Sequence, residues 1–93
     1  MRQKIVAGNW KMNNDLAATN TLISELIKKE KTTNTEVMIA PAFVNLLEAS
    51  KLLKYSSIIV AAQNMHFAEN GAYTGEISAA MLKSIGVNTV ILG

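Results

Sequence analysis

The sequence predicts an α/β protein built on a parallel sheet, and three observations support that class. Four short runs are apolar without polar alternation, which is typical of strands buried on both faces. Amphipathic helical patterns fill the segments between these runs. The resulting order, βαβαβαβ, is one that right-handed crossovers assemble into a single sheet of parallel strands. The four apolar runs cover residues 4–8, 36–40, 57–62 and 88–92.

The three helical segments are recognised by their ends and by their apolar stripes. The first, over about residues 15–29, has Asn13, Asn14 or Asp15 available as its N-cap. The second, over about 44–54, follows Pro41, and the third, over about 77–85, precedes Gly86, which suits the left-handed residue after a helix. The expected inward residues are Leu16, Ile23, Leu26 and Ile27, then Leu46, Leu47, Leu52 and Leu53, then Ile77, Met81, Leu82 and Ile85.

Length and composition narrow the classes of function. A chain of 93 residues suits a single domain, and 49% hydrophobic residues with one proline predict a packed protein. A net charge of +2, without a basic stripe, argues against nucleic acid. With no cysteine and one histidine, disulfides are excluded and a metal site is not expected. The N-terminus lacks a long apolar signal core, and no run approaches the roughly 20 apolar residues of a membrane span, so we expect a cytoplasmic protein.

Polar residues collect where the predicted strands end. Asn9 and Lys11 follow the first strand, Gln63 and Asn64 follow the third, and Gly93 ends the fourth. The carboxyl ends of parallel strands share one rim, and α/β proteins place their ligand sites there. The stretch AGNWKMN, residues 7–13, is therefore a candidate rim site.

Four segments in the same order carry a family resemblance: AGNWKMN, IAPAF, VAAQNMHFAENGAYTGEIS and VNTVILG. Together they resemble the N-terminal part of the triosephosphate isomerase family. The resemblance implies that residues 1–93 are the βαβαβαβ half of a (β/α)8 TIM barrel, with strands one to four and helices one to three. It also implies an enzyme without a cofactor that interconverts dihydroxyacetone phosphate and glyceraldehyde 3-phosphate through an enediolate, in glycolysis and gluconeogenesis, normally as a homodimer.

The resemblance also implies roles for individual residues. Lys11 matches the catalytic cation that attracts the substrate phosphate, and Asn9 matches its substrate-binding neighbour. Thr74 resembles the threonine that reaches the partner's active site from the dimer loop, residues 65–78. In the family a glutamate at the position of Glu76 supports the interface, although a place near the start of the third helix also suits the helix dipole. Apart from the resemblance, Gln63 and Asn64 are expected to hold Lys11 and the loops through hydrogen bonds, because buried amides need partners.

Several polar and aromatic residues also have simpler interpretations that do not depend on the family resemblance. A lone lysine such as Lys11 is more often a solvated loop residue, and Asn9 could be a capping amide. Trp10 suits core or interface packing. The single histidine, His66, lies in a loop and does not match the family's catalytic histidine, so a structural or surface role is the better interpretation.

Two functions of different classes remain open from the sequence. The family's His-Ser-Glu segment follows the position of Gly93, and its general-base glutamate lies further on, so the 93 residues alone are expected to be inactive. The alternative is a non-catalytic half-barrel that associates with a second copy or a complementary C-terminal fragment. Light scattering on the isolated chain distinguishes the two, since only the half-barrel predicts a clean, folded dimer. A nucleotide-binding module is disfavoured because no glycine fingerprint follows the first strand.

Overall fold

The structure, a computed structural model, describes residues 4–29 and 35–92. The predicted βαβαβαβ order is confirmed, and each pair of neighbouring strands is parallel. Gly93, the predicted end of the fourth strand, lies outside the described residues. The elements are β1 (Lys4–Asn9), α1 (Leu16–Lys28), β2 (Thr35–Ala40), a 3₁₀ turn (Phe43–Asn45), α2 (Leu46–Leu52), β3 (Ile59–Ala62), α3 (Ala79–Ser84) and β4 (Thr89–Val90).

The sheet has the order β1-β2-β3-β4, so strands that follow one another along the chain are also neighbours. The longest pairing joins β1 to β2 and ends with Asn9 opposite Ala40. The ladder continues beyond this pair, because the backbone N–H of Trp10 donates to the carbonyl of Ala40 at 3.1 Å. The start of the β1–α1 turn is thereby held beside the carboxyl end of β2.

Two helix ends follow local sequence signals. Of the three candidate caps, Asp15 is the N-cap of α1, and its carboxylate accepts a hydrogen bond from the backbone N–H of Ala18 at 2.9 Å. Gly86 follows α3 with φ +85°, and its N–H donates to the carbonyl of Lys83 at 3.0 Å. Both predictions about these ends are confirmed.

The core consists of two hydrophobic clusters on the helix-covered side of the sheet. Val60 of β3 packs against both clusters and so connects them. Trp10, which the sequence assigns to packing, lies against the first cluster. The buried members are Ile23, Ile39, Ala49, Leu53 and Ile58 in the first cluster, and Leu46, Ala62, Leu82 and Val87 in the second.

Five of the predicted inward side chains are exposed instead. Helix α1 has 13 residues and α2 has 7, so the ends of α1 extend beyond its neighbour. In α2 the buried stripe consists of Leu46, Ala49 and Leu53. Leu47 and Leu52 lie about 100° around the helix from this stripe. In α3, Leu82 faces the core, whereas Met81 lines a small cavity against the β3–α3 loop. The corrected residues are Leu16, Ile27, Leu47, Leu52 and Met81.

The expectation that each strand is buried on both faces is wrong for β1. Ile5 and Val6 point to opposite faces of the sheet, yet each is 58% exposed. Among the described residues β1 is an edge of the sheet that pairs only with β2, and no helix packs closely against either of its faces. Across residues 4–29 and 35–92, no helix has the length and the apolar character that crossing a membrane requires.

Candidate active site

The β1–α1 turn carries the first two predicted site residues on an unusual backbone. Lys11 is exposed and has φ +54°, in the left-handed region that residues with a Cβ seldom adopt. The N–H of Lys11 donates to the side-chain carbonyl oxygen, Oδ1, of Asn9 at 2.9 Å. Asn13 makes a second hydrogen bond within the turn, because its amide nitrogen donates to the carbonyl of Trp10 at 2.9 Å. These short bonds hold the turn in one conformation.

Gln63 brings the end of β3 to this turn. Its amide nitrogen, Nε2, donates to the carbonyl of Lys11 at 2.7 Å and to the carbonyl of Ala40 at 2.8 Å. One half-buried side chain therefore links β3, the end of β2 and the turn after β1. The strand ends do share a rim, and Asn9, Lys11 and Gln63 meet there.

A second side chain holds the far side of the same turn. The amide nitrogen of Asn45, Nδ2, donates to the carbonyl of Asn14 at 2.9 Å. Asn14 also has a positive φ, +72°, which asparagine tolerates better than most residues. Asn45 is fully buried and was not predicted as a site residue. A polar residue just before a helix usually indicates a cap, so the sequence offered no signal for this contact.

The long loop between β3 and α3 closes at its base through His66. The backbone N–H of His66 donates to the carbonyl of Ile77 at 2.7 Å, and its ring nitrogen Nδ1 accepts the N–H of Ala68 at 3.1 Å. The imidazole ring also stacks on Phe67 and lies 4.2 Å, between ring centroids, from Tyr73. These contacts give His66 a structural role in the loop.

The other predicted residues are exposed and are not joined to the rim. Asn64 lies next to Gln63, but its side chain faces solvent. Thr74 and Gly75 form the corner of a turn in which the N–H of Glu76 donates to the carbonyl of Tyr73 at 3.0 Å. Within residues 4–29 and 35–92, no side-chain hydrogen bond connects Thr74 or Glu76 to Lys11. The roles of Asn64, Thr74 and Glu76 remain predictions.

The rim offers charge and hydrogen-bond donors rather than metal ligands. Lys11 supplies an exposed ammonium, which suits an anion such as a phosphate. The Oδ1 atom of Asn9 is occupied by a backbone N–H, while its amide nitrogen has no partner among the described residues. In the described ranges, no three histidine, cysteine, aspartate or glutamate side chains converge on one point. The end of β1 and the turn that follows it thus carry both a cation, Lys11, and an amide donor, Asn9.

A separate cavity of about 480 Å³ lies at the opposite end of the sheet. It is bounded by the last turns of α2 and α3 and by the first residues of β3 and β4, and Lys51 is among the residues that line it. None of the predicted site residues lines this cavity. The sheet therefore has two distinct ends, and the predicted site belongs to the carboxyl end.

The parallel sheet, its outer helices and the polar rim at its carboxyl end define an α/β unit of the kind that forms half of a TIM barrel. The family model described as "Triosephosphate isomerase" matches residues 4–93. The chain therefore belongs to the triosephosphate isomerase family.

Curated relatives support this assignment over the whole chain. The chain is 65% identical over 94 aligned residues to the triosephosphate isomerase of Flavobacterium psychrophilum. It is 61% identical to that of Flavobacterium johnsoniae and 50% identical to that of Alkaliphilus metalliredigens. Each alignment covers 100% of the chain but 38% of the relative. The chain thus spans well under half the length of the relatives it matches, and corresponds to their N-terminal part.

Proposed function

We propose that this chain is the N-terminal part of an enzyme that interconverts dihydroxyacetone phosphate and glyceraldehyde 3-phosphate. The reaction is a proton transfer through an enediolate, without a cofactor, and it serves glycolysis and gluconeogenesis in the cytoplasm. The observation that carries the proposal is the position of Lys11: it lies on the rim turn after β1, inside a family match that runs through residues 4–93.

Lys11 and Asn9 have complementary roles in this proposal. The substrate phosphate and the enediolate are both negatively charged, and a fixed ammonium stabilises such charge more strongly than water does, because it needs no reorganisation. Asn9 uses Oδ1 to hold the backbone of Lys11, which leaves its amide nitrogen to donate to a substrate oxygen. Lys11 is therefore the proposed catalytic cation, and Asn9 the proposed substrate-binding amide.

The dimer loop, residues 65–78, is the proposed contact with a second copy of the chain. Phe67 is 88% exposed and Tyr73 is 49% exposed, so the loop presents aromatic surface that an interface would bury. Met12, in the turn beside Lys11, is 94% exposed. In a homodimer the loop would bring Thr74 and Glu76 to the partner's turn, while Gln63 supports the turn within one subunit.

Proton transfer in the proposed enzyme depends on residues that follow position 93 in the full-length protein. The family resemblance places the catalytic histidine and glutamate beyond residue 93, so residues 1–93 alone should show no turnover. The exposed β1 residues Ile5 and Val6 favour the second candidate, a half-barrel that associates with a second copy or a C-terminal fragment. A folded, monodisperse dimer of the isolated chain in light scattering would support that candidate.

A charge-removal pair tests the proposed function. In the full-length protein that contains residues 1–93, we expect Lys11→Ala to lower kcat/KM for glyceraldehyde 3-phosphate by at least about 100-fold, because a preorganised charge is lost. The matched control is Lys51→Ala, which removes an exposed lysine at the opposite end of the sheet and should leave kcat/KM unchanged. Equal effects of the two substitutions would contradict the proposal.

A further inference from the structure

We propose that Asn45 is a positioning residue for the turn that carries Lys11. The inference rests on the proposed function, since it concerns how the proposed catalytic cation is held in place. It assigns Asn45 no contact with the substrate. Its effect passes through the backbone of the turn, from the carbonyl of Asn14 to Lys11.

The contact joins two parts of the chain that are distant in sequence. Asn45 belongs to the 3₁₀ turn before α2, and its Nδ2 donates to the carbonyl of Asn14, 31 residues earlier, at 2.9 Å. The carbonyl of Asn14 can only accept a hydrogen bond, so the amide must present its NH₂ group there. A carboxylate or an apolar side chain at position 45 could not make this contact.

Core stability does not explain why an amide occupies this position. Asn45 has no exposed surface, and its Oδ1 atom has no hydrogen-bond partner in the described residues. A buried acceptor without a partner costs roughly 1 to 3 kcal/mol, which an apolar side chain of similar size would avoid. Asn45 also occupies the N-cap position of α2 without making a side-chain capping bond. The bond to Asn14 is the one favourable polar contact described for this side chain.

The turn is held at two points, and the two unfavourable backbone conformations lie within it. Gln63 binds the carbonyl of Lys11, and Asn45 binds the carbonyl of Asn14. Lys11 and Asn14 have φ values of +54° and +72°. Left-handed residues persist where surrounding contacts over-determine them. Without the bond from Asn45, the α1 side of the turn loses its long-range anchor, and Lys11 can move relative to the rim.

A small displacement of Lys11 is sufficient to affect catalysis. Misplacing a reacting or charge-stabilising group by about 1 Å can cost about 100-fold in rate. Partial loosening of the turn should cost less, because Gln63 still holds its other side. We therefore expect a loss of roughly 10-fold in kcat/KM, with a higher KM for the phosphorylated substrate.

The experiment uses the full-length protein with Asn45→Leu, which is close in size and removes both polar atoms. We expect kcat/KM to fall roughly 10-fold while the melting temperature stays equal or rises, because the unpaired buried oxygen is also removed. The control is Thr19→Val, since Thr19 is fully buried and its hydroxyl oxygen also has no partner in the described residues. Thr19→Val should leave kcat/KM unchanged. If Asn45→Leu does not fold, Asn45→Ala provides the same measurement.

Binding of glycerol 3-phosphate, which carries the phosphate but cannot isomerise, separates the two proposals. Asn45→Leu should weaken its binding, but Lys11→Ala/Asn45→Leu should bind it no more weakly than Lys11→Ala alone. If Lys11→Ala binds like the wild type, the proposed function fails. If Lys11→Ala loses affinity but Asn45→Leu keeps wild-type kcat/KM, or if the two losses multiply, the positioning role fails and the proposed function stands.

Discussion

At the scale of single residues, the amide nitrogen of Gln63 holds the rim together. It donates to two carbonyl oxygens, those of Lys11 and Ala40, at 2.7 Å and 2.8 Å. An amide NH₂ group has two hydrogens, so both bonds can be made at once. A glutamate at position 63 would have the same shape but no NH₂ group, so a carboxylate oxygen would face the two carbonyl oxygens.

Gln63→Glu should therefore destabilise the full-length protein in a pH-dependent way. The two carbonyl oxygens repel a carboxylate but accept a bond from the protonated acid, so the folded-state pKa of the new carboxyl is raised above the ordinary value of about 4.3. The penalty is smallest below the unfolded-state pKa and grows as the pH rises through the folded-state pKa. We expect a loss of about 2 kcal/mol in the free energy of unfolding at pH 7, measured by urea denaturation.

The neighbouring residue supplies the control for this substitution. Asn64→Asp makes the same change from amide to carboxyl at an exposed position, so its effect on stability should be small at either pH. A Gln63→Glu penalty of the same size at pH 4 and pH 7 would show that the amide is not facing two acceptors.

Part of this site can be predicted from the sequence and part cannot, because some contacts follow from strand direction and others depend on register and tertiary packing. Asn9, Lys11 and Gln63 could be placed together because the carboxyl ends of parallel strands meet at one rim. The bond from Gln63 to Ala40 could not be derived, since it depends on strand register. Asn45 was missed because its burial results from tertiary packing, which a local capping pattern does not reveal.

At the scale of elements, the end of α3 depends on a glycine for two reasons. Gly86 has φ +85°, and a Cβ atom added there would lie 2.8 Å from the Oγ atom of Ser50 in α2. Gly75 has a similar φ, +89°, but a Cβ atom added there would meet no atom within 4 Å. Comparing substitutions at the two glycines therefore separates the cost of backbone strain from the cost of a steric clash between α2 and α3.

We expect Gly86→Ala to lower the free energy of unfolding by about 1 kcal/mol more than Gly75→Ala does, because it adds a steric clash to the strain. Urea denaturation of the full-length variants measures the difference. Ser50→Ala should reduce the effect of Gly86→Ala by removing the clashing oxygen. Equal losses at Gly86 and Gly75, unchanged by Ser50→Ala, would mean that α2 and α3 do not approach each other as described.

Element ends were better predicted than element faces. The N-cap Asp15 and the terminator Gly86 act through local hydrogen bonds, which sequence patterns capture. The exposure of Leu16 and Leu47 depends on how far neighbouring helices extend and which flank they cover. Such features belong to tertiary packing, and hydrophobic periodicity does not contain them.

At the scale of the whole molecule, the described residues form a four-stranded parallel sheet with its helices on one side. The order and direction of the strands were predicted correctly, because alternating apolar runs and amphipathic helices leave few allowed topologies. The exposure of β1 was not predicted, since a continuous apolar run does not show which strand lies at an edge of the sheet. The rim turn keeps its conformation through contacts within residues 9–63.

The central claim is that Lys11, held on this turn, meets the phosphate of the substrate. A crystal structure of the full-length protein with glycerol 3-phosphate bound tests it most directly. We predict that the Nζ atom of Lys11 lies within about 3 Å of a phosphate oxygen, the length of a charge-assisted hydrogen bond. A phosphate bound elsewhere, with Nζ of Lys11 directed away from the rim, would contradict the claim.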